Sequence, residues 1–273
     1  MNPYFVSEKG SMGISNHKKE KIEFLLTETI EKKLKKYARE TSSMPFLVRL
    51  IQDSRKVAAY SFIHSIATSL GMSIYEEVSG ILVKDSRDSY SRRYDLGGVL
   101  SIEQKSVIDS IILELRNNEK QPDYERDMQR VLNAPLKDGR QQKEGKIADF
   151  YMLRNNIEYF FEIKTVKPNI DVFTKSKTKL LEWIARRRRP IRAILAFPYN
   201  PYYPKPYKRY TEQNLMQMGV DFLVGDAYWN LLSGEHTFTE LLQIFDAVGK
   251  KWKSKILAKI EEVAAEKMAG FQE

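Results

Sequence analysis

The chain has 273 residues, of which 42% are hydrophobic and 30% charged, a balance typical of a soluble globular protein with a substantial core. It has no cysteine and only three histidines, which excludes disulfide bonds, thiolate zinc sites and a cysteine nucleophile. The net charge of +9 suits either simple solubility or a polyanionic partner. Because no apolar run of about 18 residues and no signal-peptide stretch occurs, we expect a cytoplasmic protein.

The first half of the sequence predicts mainly helices. Apolar residues recur at helical spacing in four segments: residues 18–40, 46–71, 72–83 and 102–117. The segments between and after them are polar, so we expect a loop over 85–91, a turn over 94–98 and a surface excursion over 122–145.

The second half alternates strands and helices. Strands are expected at 146–153, 159–165, 191–197 and 220–224, and helices at 171–188, 213–218 and 228–269. Asn155-Asn156 predicts a tight turn between the first two strands, and residues 198–206, with four prolines, cannot be regular. This order indicates an α/β fold with a mixed central sheet. We expect one domain over residues 1–273: a helical part at 1–135, a catalytic core at 136–248 and a C-terminal helix at 249–273.

The predicted hairpin can bring two carboxylates and a lysine together. Alternation places Glu162 and Lys164 on one face of their strand and Phe161 and Ile163 on the other. The turn at Asn155-Asn156 then allows Asp149 to lie beside Glu162. Such a cluster suits a hard divalent cation, which prefers oxygen ligands. The alternative is an ordinary solvated strand face with a cross-strand charge pair, since Glu-x-Lys alone is common.

This arrangement resembles the PD-(D/E)XK nuclease superfamily, whose core runs α-β-β-β-α-β. Asp149, Glu162 and Lys164 match its three active-site positions, although Ala148 replaces the proline that often precedes the aspartate. The resemblance implies a restriction-endonuclease-like mixed sheet flanked by helices, with extra helices at both termini. It also implies that Asp149, Glu162 and the main-chain carbonyl of Ile163 bind Mg²⁺, and that Lys164 orients or deprotonates the attacking water.

Three segments resemble the TdeIII-type restriction endonucleases: residues 69–76 (SLGMSIYE), 161–169 (FEIKTVKPN) and 198–204 (PYNPYYP). The resemblance implies a type II site-specific deoxyribonuclease that cleaves duplex DNA at a short palindrome of the GGNCC kind. It further implies a homodimer and a cognate DNA methyltransferase in the cell. Superfamily members often add a carboxylate from the upstream helix, and Glu76, spaced with Ser65, Ser69 and Ser73, is favoured over Glu77.

Two basic groups downstream of the hairpin are candidates for DNA binding. The first is Arg186, Arg187 and Arg188, in a run that also includes Arg189; the second is Lys205, Lys208 and Arg209. The arginines could instead only complement the dipole at a helix C-terminus, and the Tyr/Pro segment could be a packed loop.

Two other functions remain open at this stage. A repair or recombination nuclease of the same superfamily would carry the same three residues. A DNA-binding module without catalysis would use the carboxylates only as a structural ion-pair network. A plasmid incubated with Mg²⁺ separates these alternatives, because only a site-specific endonuclease produces discrete bands.

Overall fold

The computed structural model describes residues 13–37, 44–84, 88–137, 139–140, 145–164, 169–208, 214–234 and 236–269. Packing divides the chain into two units, one formed by Met1–Val78 with Thr239–Glu273 and the other by Ser79–Phe238. None of the helices in these ranges has the length and apolar character needed to cross a membrane.

Helices account for most of the described residues. They are α1 (Asn16–Lys36), α2 (Pro45–Ile51), α3 (Ser54–Ser69), α4 (Tyr75–Val83), α5 (Ile102–Arg116), α6 (Tyr124–Leu132), α7 (Ile170–Arg187), α8 (Asp226–Ser233) and α9 (Thr237–Ala269). A π-helical turn, Leu70–Ile74, joins α3 to α4. The strands are β1 (Ser89–Asp95), β2 (Leu100–Ser101), β3 (Gly139–Arg140), β4 (Ile147–Arg154), β5 (Ile157–Ile163), β6 (Arg192–Phe197) and β7 (Phe222–Val224).

In the first unit, helices pack around a small aromatic and aliphatic core. Ala58 and Phe62 of α3 pack with Val263 of α9, and Tyr37 meets Phe62 edge to face at 4.9 Å between ring centroids. Glu240 of α9 accepts a hydrogen bond from the main-chain N–H of Ile14, which ties the start of α1 to α9. These contacts join chain segments that are far apart in sequence.

The second unit contains a five-stranded mixed sheet with strand order β1-β4-β5-β6-β7. β1, β4 and β5 pair antiparallel, whereas β5, β6 and β7 pair parallel. Asn155 and Asn156 form the β4–β5 turn with φ of 49° and 61°, as their tolerance of positive φ predicts. The elements α4, β1, β4, β5, α7 and β6 follow the α-β-β-β-α-β order, which confirms the expected restriction-endonuclease-like fold.

Helix α7 packs against one face of this sheet, over strands β5 and β6. Trp183 of α7 lies 6.3 Å from Phe160 of β5 between ring centroids, and both side chains are fully buried. Phe173, at the start of α7, meets Phe197 of β6 edge to face at 5.8 Å. β6 is almost entirely buried, as expected for a central parallel strand.

The structure differs from several expectations for local structure. In the predicted loop at 85–91, the described residues from Ser89 onward belong to the edge strand β1, whose polar, exposed residues lack strand-like alternation and which is fixed by pairing with β4. The strand runs to Asp95 and thus into the predicted turn at 94–98, where the chain does turn at Gly97 and Gly98, both with positive φ. The excursion at 122–145 contains the helix α6. One of the four positions on its buried face is an acid, Asp127, so the apolar residues alone do not show a helical repeat. At 213–218, the described residues form turns rather than a helix. The last helical region is also interrupted between α8 and α9.

Candidate active site

The β4–β5 hairpin brings Asp149 and Glu162 together, and we call these two residues the carboxylate pair. Phe150 pairs with Phe161, so one further step in the same register places Asp149 opposite Glu162. Asp149 Oδ2 accepts a hydrogen bond of 2.7 Å from the main-chain N–H of Ile163. The proximity predicted from the sequence is therefore present in the structure.

The two oxygens of Glu162 have different environments, although the whole side chain is buried. Oε1 accepts a hydrogen bond from Ser176 Oγ at 3.3 Å and lies 2.9 Å from Lys164 Nζ. Oε2 is buried without a hydrogen-bond partner among the described residues, and Lys179 Nζ lies 3.8 Å away. A buried carboxylate oxygen left in this state is costly unless a ligand completes it.

Burial and the neighbouring charges shift the pKa values of Asp149 and Lys164. Burial raises the pKa of Asp149 above its usual value, and the hydrogen bond from Ile163 and the charge of Lys179 only partly offset this. Burial alone would lower the pKa of Lys164, but the charge of Glu162 and the hydrogen bond to it raise the pKa above its usual value. Asp149 and Lys164 therefore each feel the charge of the other and of Glu162 across the site.

The residues present fit a hard divalent cation. Glu162 Oε2 lacks a hydrogen-bond donor among the described residues, and Asp149, held through Oδ2 by the Ile163 N–H, lies opposite it on the paired strand. Carboxylate oxygens of this kind are ligands for Mg²⁺, which usually keeps several waters and takes only one or two protein carboxylates. Within the described part of the chain, no three His, Cys, Asp or Glu side chains are grouped so that they could hold a metal ion.

Comparison with known proteins identifies the family. Residues 14–249 match the family model described as type II restriction endonuclease, HinfI. The chain is 30% identical over 208 residues to the type II restriction enzyme HgiCII of Herpetosiphon aurantiacus, covering 73% of this chain and 75% of that protein. It is 28% identical over 212 residues to HgiEI of the same organism, with the same coverage. The chain belongs to the HinfI family of type II restriction endonucleases.

A more distant relative in the same class is the type II restriction enzyme MjaII of Methanocaldococcus jannaschii, 25% identical over 204 residues, or 68% of this chain and 54% of that protein. No solved structure matches the chain significantly. The TdeIII-type resemblance is not confirmed, whereas the class it implied, a hydrolytic type II restriction endonuclease, is. Such enzymes act on double-stranded DNA and generally use a divalent metal ion, in agreement with the carboxylate pair.

Glu76, the predicted additional carboxylate of this HinfI-family chain, lies with Glu77 in the first turn of α4, in the first unit. Its choice over Glu77 rested on unbroken α-helical spacing from Ser65 and on its place at the end of the SLGMSIYE segment. The assumption about spacing was wrong, because the π-helical turn Leu70–Ile74 changes the angle between residues before and after it. The contribution of Glu76 to the metal site stays a prediction.

Sequence reasoning missed Ser176 and Lys179, which α7 places against Glu162. The helix begins at an N-cap, Asn169, whose side chain accepts a hydrogen bond from the N–H of Val172. Its apolar periodicity marked only Leu180 and Trp183 and their neighbours as buried. A signal was nonetheless present, since Ser176 lies four positions before Leu180 and Lys179 four positions before Trp183, which places them one turn away on the helix face that meets the sheet.

Arg93 of β1 was also missed. Its strand neighbours pair with the neighbours of Asp149, so Arg93 stands at the register position opposite that aspartate. Its φ is 49°, a left-handed conformation that is uncommon for arginine and costs about 1–3 kcal/mol. The side chain is exposed. A strained, exposed cation on the strand next to the carboxylate pair is a candidate for contact with the DNA backbone.

The arginine run mainly makes contacts within the protein. Arg186 is buried and donates to the main-chain carbonyls of Gly97 and Gly98 at 3.2 and 3.0 Å. Arg187 donates to both carboxylate oxygens of the buried Glu158, through Nε at 3.1 Å and through a guanidinium NH₂ group. Arg188 ends α7 in a left-handed conformation and is exposed. These contacts favour the structural interpretation for Arg186 and Arg187, and leave Arg188 accessible.

The second basic group lies on the Tyr/Pro segment. The main-chain carbonyl of Pro198, at the start of the segment, accepts a hydrogen bond of 2.7 Å from Trp229 Nε1. Within the segment, Asn200 Nδ2 donates to the main-chain carbonyl of Lys205 at 2.7 Å. Lys205 and Lys208 are exposed, whereas Arg209 lies outside the described residues. The segment is therefore an irregular but anchored loop that presents two lysines to solvent.

Proposed function

We propose that this HinfI-family enzyme is a Mg²⁺-dependent nuclease of the PD-(D/E)XK type that cleaves duplex DNA at a short palindrome. The buried Glu162 Oε2, which has no hydrogen-bond donor among the described residues and lies beside Asp149, carries this proposal. A purely structural ion-pair network would leave that oxygen unsatisfied at a free-energy cost, whereas a metal ligand has a reason to be kept free.

Asp149, Glu162 and the carbonyl of Ile163 would hold the ion, with Glu76 as a further candidate. When bound, Mg²⁺ lowers the pKa of a coordinated water and offsets charge at the phosphoryl oxygens. The Ile163 N–H fixes Asp149, and Ser176 fixes Glu162 through Oε1. Lys164, 38% exposed at its side chain and 2.9 Å from Glu162, can donate a hydrogen bond to the attacking water or the scissile phosphate.

DNA binding is proposed to use exposed cations near and beyond this centre: Arg93, Arg188, Lys205 and Lys208. Arg209 remains a candidate from the sequence alone. Such side chains displace counterions from phosphates, and arginine and lysine also read guanine edges. Because each chain has one carboxylate pair and a palindrome has two equivalent scissile bonds, we propose a two-fold symmetric homodimer on DNA. A restriction role in the cytoplasm requires a cognate methyltransferase to protect host DNA, without a stable complex.

The test is digestion of plasmids of known sequence with Mg²⁺. Wild-type protein should give discrete fragments, and Asp149→Asn and Glu162→Gln should each lose cleavage while still shifting a duplex in a gel. Asp109→Asn, at an exposed carboxylate of α5 paired with Lys105, is the matched control and should cut normally. Near-normal cutting by either active-site variant would refute the assignment.

The GGNCC type of site rests on the TdeIII-type resemblance alone. Sequencing the ends of the plasmid fragments identifies the bases at the cut and the stagger between strands. Fragment ends that share a different short palindrome would replace the GGNCC proposal and leave the mechanism intact.

A further inference from the structure

Lys179 is a second cation at the carboxylate pair, besides the lysine of the Glu-x-Lys motif. It lies on α7, and its Nζ is 3.8 Å from Glu162 Oε2, whereas Lys164 Nζ is 2.9 Å from Oε1. The Lys179 ammonium also lies over the Trp183 ring, 5.2 Å from its centroid. Its side chain is 24% exposed, so the charge is only partly screened by water.

The Lys179 contact to Glu162 is an ion pair rather than a hydrogen bond, because 3.8 Å exceeds hydrogen-bond distance. The ammonium therefore stabilises charge on Oε2 without occupying its lone pairs. The same ammonium also contacts the Trp183 ring, and this contact does not depend on Glu162. Lys179 is therefore held near Oε2 by two contacts, of which only one involves the carboxylate.

The formal charges of the site cancel in the free protein. Counted in their usual ionised states, Asp149 and Glu162 contribute two negative charges, and Lys164 and Lys179 contribute two positive charges. A divalent cation that enters this neutral site meets two ammonium groups, and their repulsion opposes its attraction to the acids. A DNA phosphate adds negative charge and gives the ammonium groups another partner.

We propose that Lys179 is a positioning residue that acts on the metal through Glu162. It holds the Oε2 charge in the DNA-free protein and keeps metal affinity low until a phosphate enters the site. This inference rests on the proposed function, because it requires that Glu162 binds the ion. Its consequence is that metal binding and DNA binding favour each other, since each reduces the electrostatic cost of the other.

The experiment measures Mn²⁺ binding to the DNA-free protein, using the loss of the free-ion electron paramagnetic resonance signal. Lys179→Met keeps the aliphatic stem over Trp183 and removes the charge, so Mn²⁺ affinity should rise on the order of tenfold. Lys179→Arg keeps the charge and should bind Mn²⁺ as wild type does. The matched control is Lys175→Met, which removes the same charge from an exposed position one turn away on α7 and should change affinity far less.

A double-mutant cycle shows whether the effect passes through Glu162. In a Glu162→Gln background, the gain in Mn²⁺ affinity from Lys179→Met should fall to the part that direct repulsion between the ammonium and the ion causes, and equal gains in both backgrounds would show that Lys179 does not act through Glu162. Unchanged or weaker Mn²⁺ binding by Lys179→Met, or an equal gain for Lys175→Met, would overturn the inference. Failure of the proposed function is seen separately, as a wild-type protein that does not cut plasmid or an Asp149→Asn variant that does.

Discussion

Arg187→Met tests whether the arginine run serves the fold or the DNA. Glu158 lies on β5, is 5% exposed, and receives hydrogen bonds from Arg187 and, through Nε at 3.0 Å, from Arg189. Removing Arg187 leaves the buried carboxylate with a 3.3 Å hydrogen bond from the Tyr151 hydroxyl and with one arginine, whose own side chain is 58% exposed. The variant should therefore be destabilised although its overall positive charge is lower.

The magnitude follows from the burial of the pair. Breaking a fully buried ion pair costs about 3–5 kcal/mol, because the remaining charge is desolvated without compensation. Here the Arg187 side chain is 21% exposed and Arg189 still contacts Glu158 Oε2, so we expect a loss of about 2 kcal/mol in the free energy of unfolding. Replacing Glu158 by Gln in the same chain should recover part of the loss.

Urea unfolding and DNA binding together decide between the two interpretations. Arg188→Met is the matched control: the residue is exposed at the end of α7, so stability should change by no more than about 0.5 kcal/mol. If Arg187 serves the fold, the slope of log affinity against log salt should equal the wild-type slope. A stable Arg187→Met protein whose slope falls by about 0.9 would show a phosphate contact and refute the structural interpretation.

Three further predictions concern the metal site, the assembly and acid stability. Glu76→Gln should lower cleavage at saturating Mg²⁺ more than Glu77→Gln, and the reverse order in a single-turnover assay would exchange their roles. Sedimentation of the protein on a duplex with its site should show two chains, and a monomer that nicks one strand at a time would contradict the symmetric complex. Arg130 hydrogen bonds of 2.6 and 2.7 Å hold the pKa of Glu114 below its usual 4.5, so their stabilisation is present above that pH and lost below it. The difference in unfolding free energy between wild type and Glu114→Gln should accordingly shrink from pH 6 to pH 3.

The part of the site that depends on local chain geometry was predictable from the sequence. Asp149 and Glu162 lie at equal distances from the Asn155-Asn156 turn, so a two-residue hairpin with side-chain alternation is enough to place them opposite each other. The flanking apolar residues, Phe150 and Phe161, then fix which face they share. No information about distant segments is needed for this step.

The rest depends on partners that are remote in sequence. β1 has exposed, polar residues and is a strand only because β4 pairs with it. Lys179 reaches Glu162 only because α7 packs across β5, and helical periodicity does not state which strand a helix will cover. The sequence predicts Arg187 as a DNA-binding residue, whereas the fold pairs it with the buried carboxylate of Glu158. Charged side chains are ambiguous in sequence because their function depends on the environment that the fold provides.

Helix α7 carries both the residues that contact Glu162 (Ser176 and Lys179) and a buried charge that fixes the orientation of the helix. Lys177, which lies between Ser176 and Lys179 in the sequence, is fully buried. Its ammonium donates a hydrogen bond to Asp221 Oδ2 at 2.6 Å and lies 4.0 Å from Asp127 Oδ2. A rotation of α7 about its axis would separate this buried charge from its partners at a cost of several kcal/mol. The same rotation would also move Ser176 and Lys179 away from Glu162. The buried ion pairs therefore fix the orientation on which the geometry of the carboxylate pair depends.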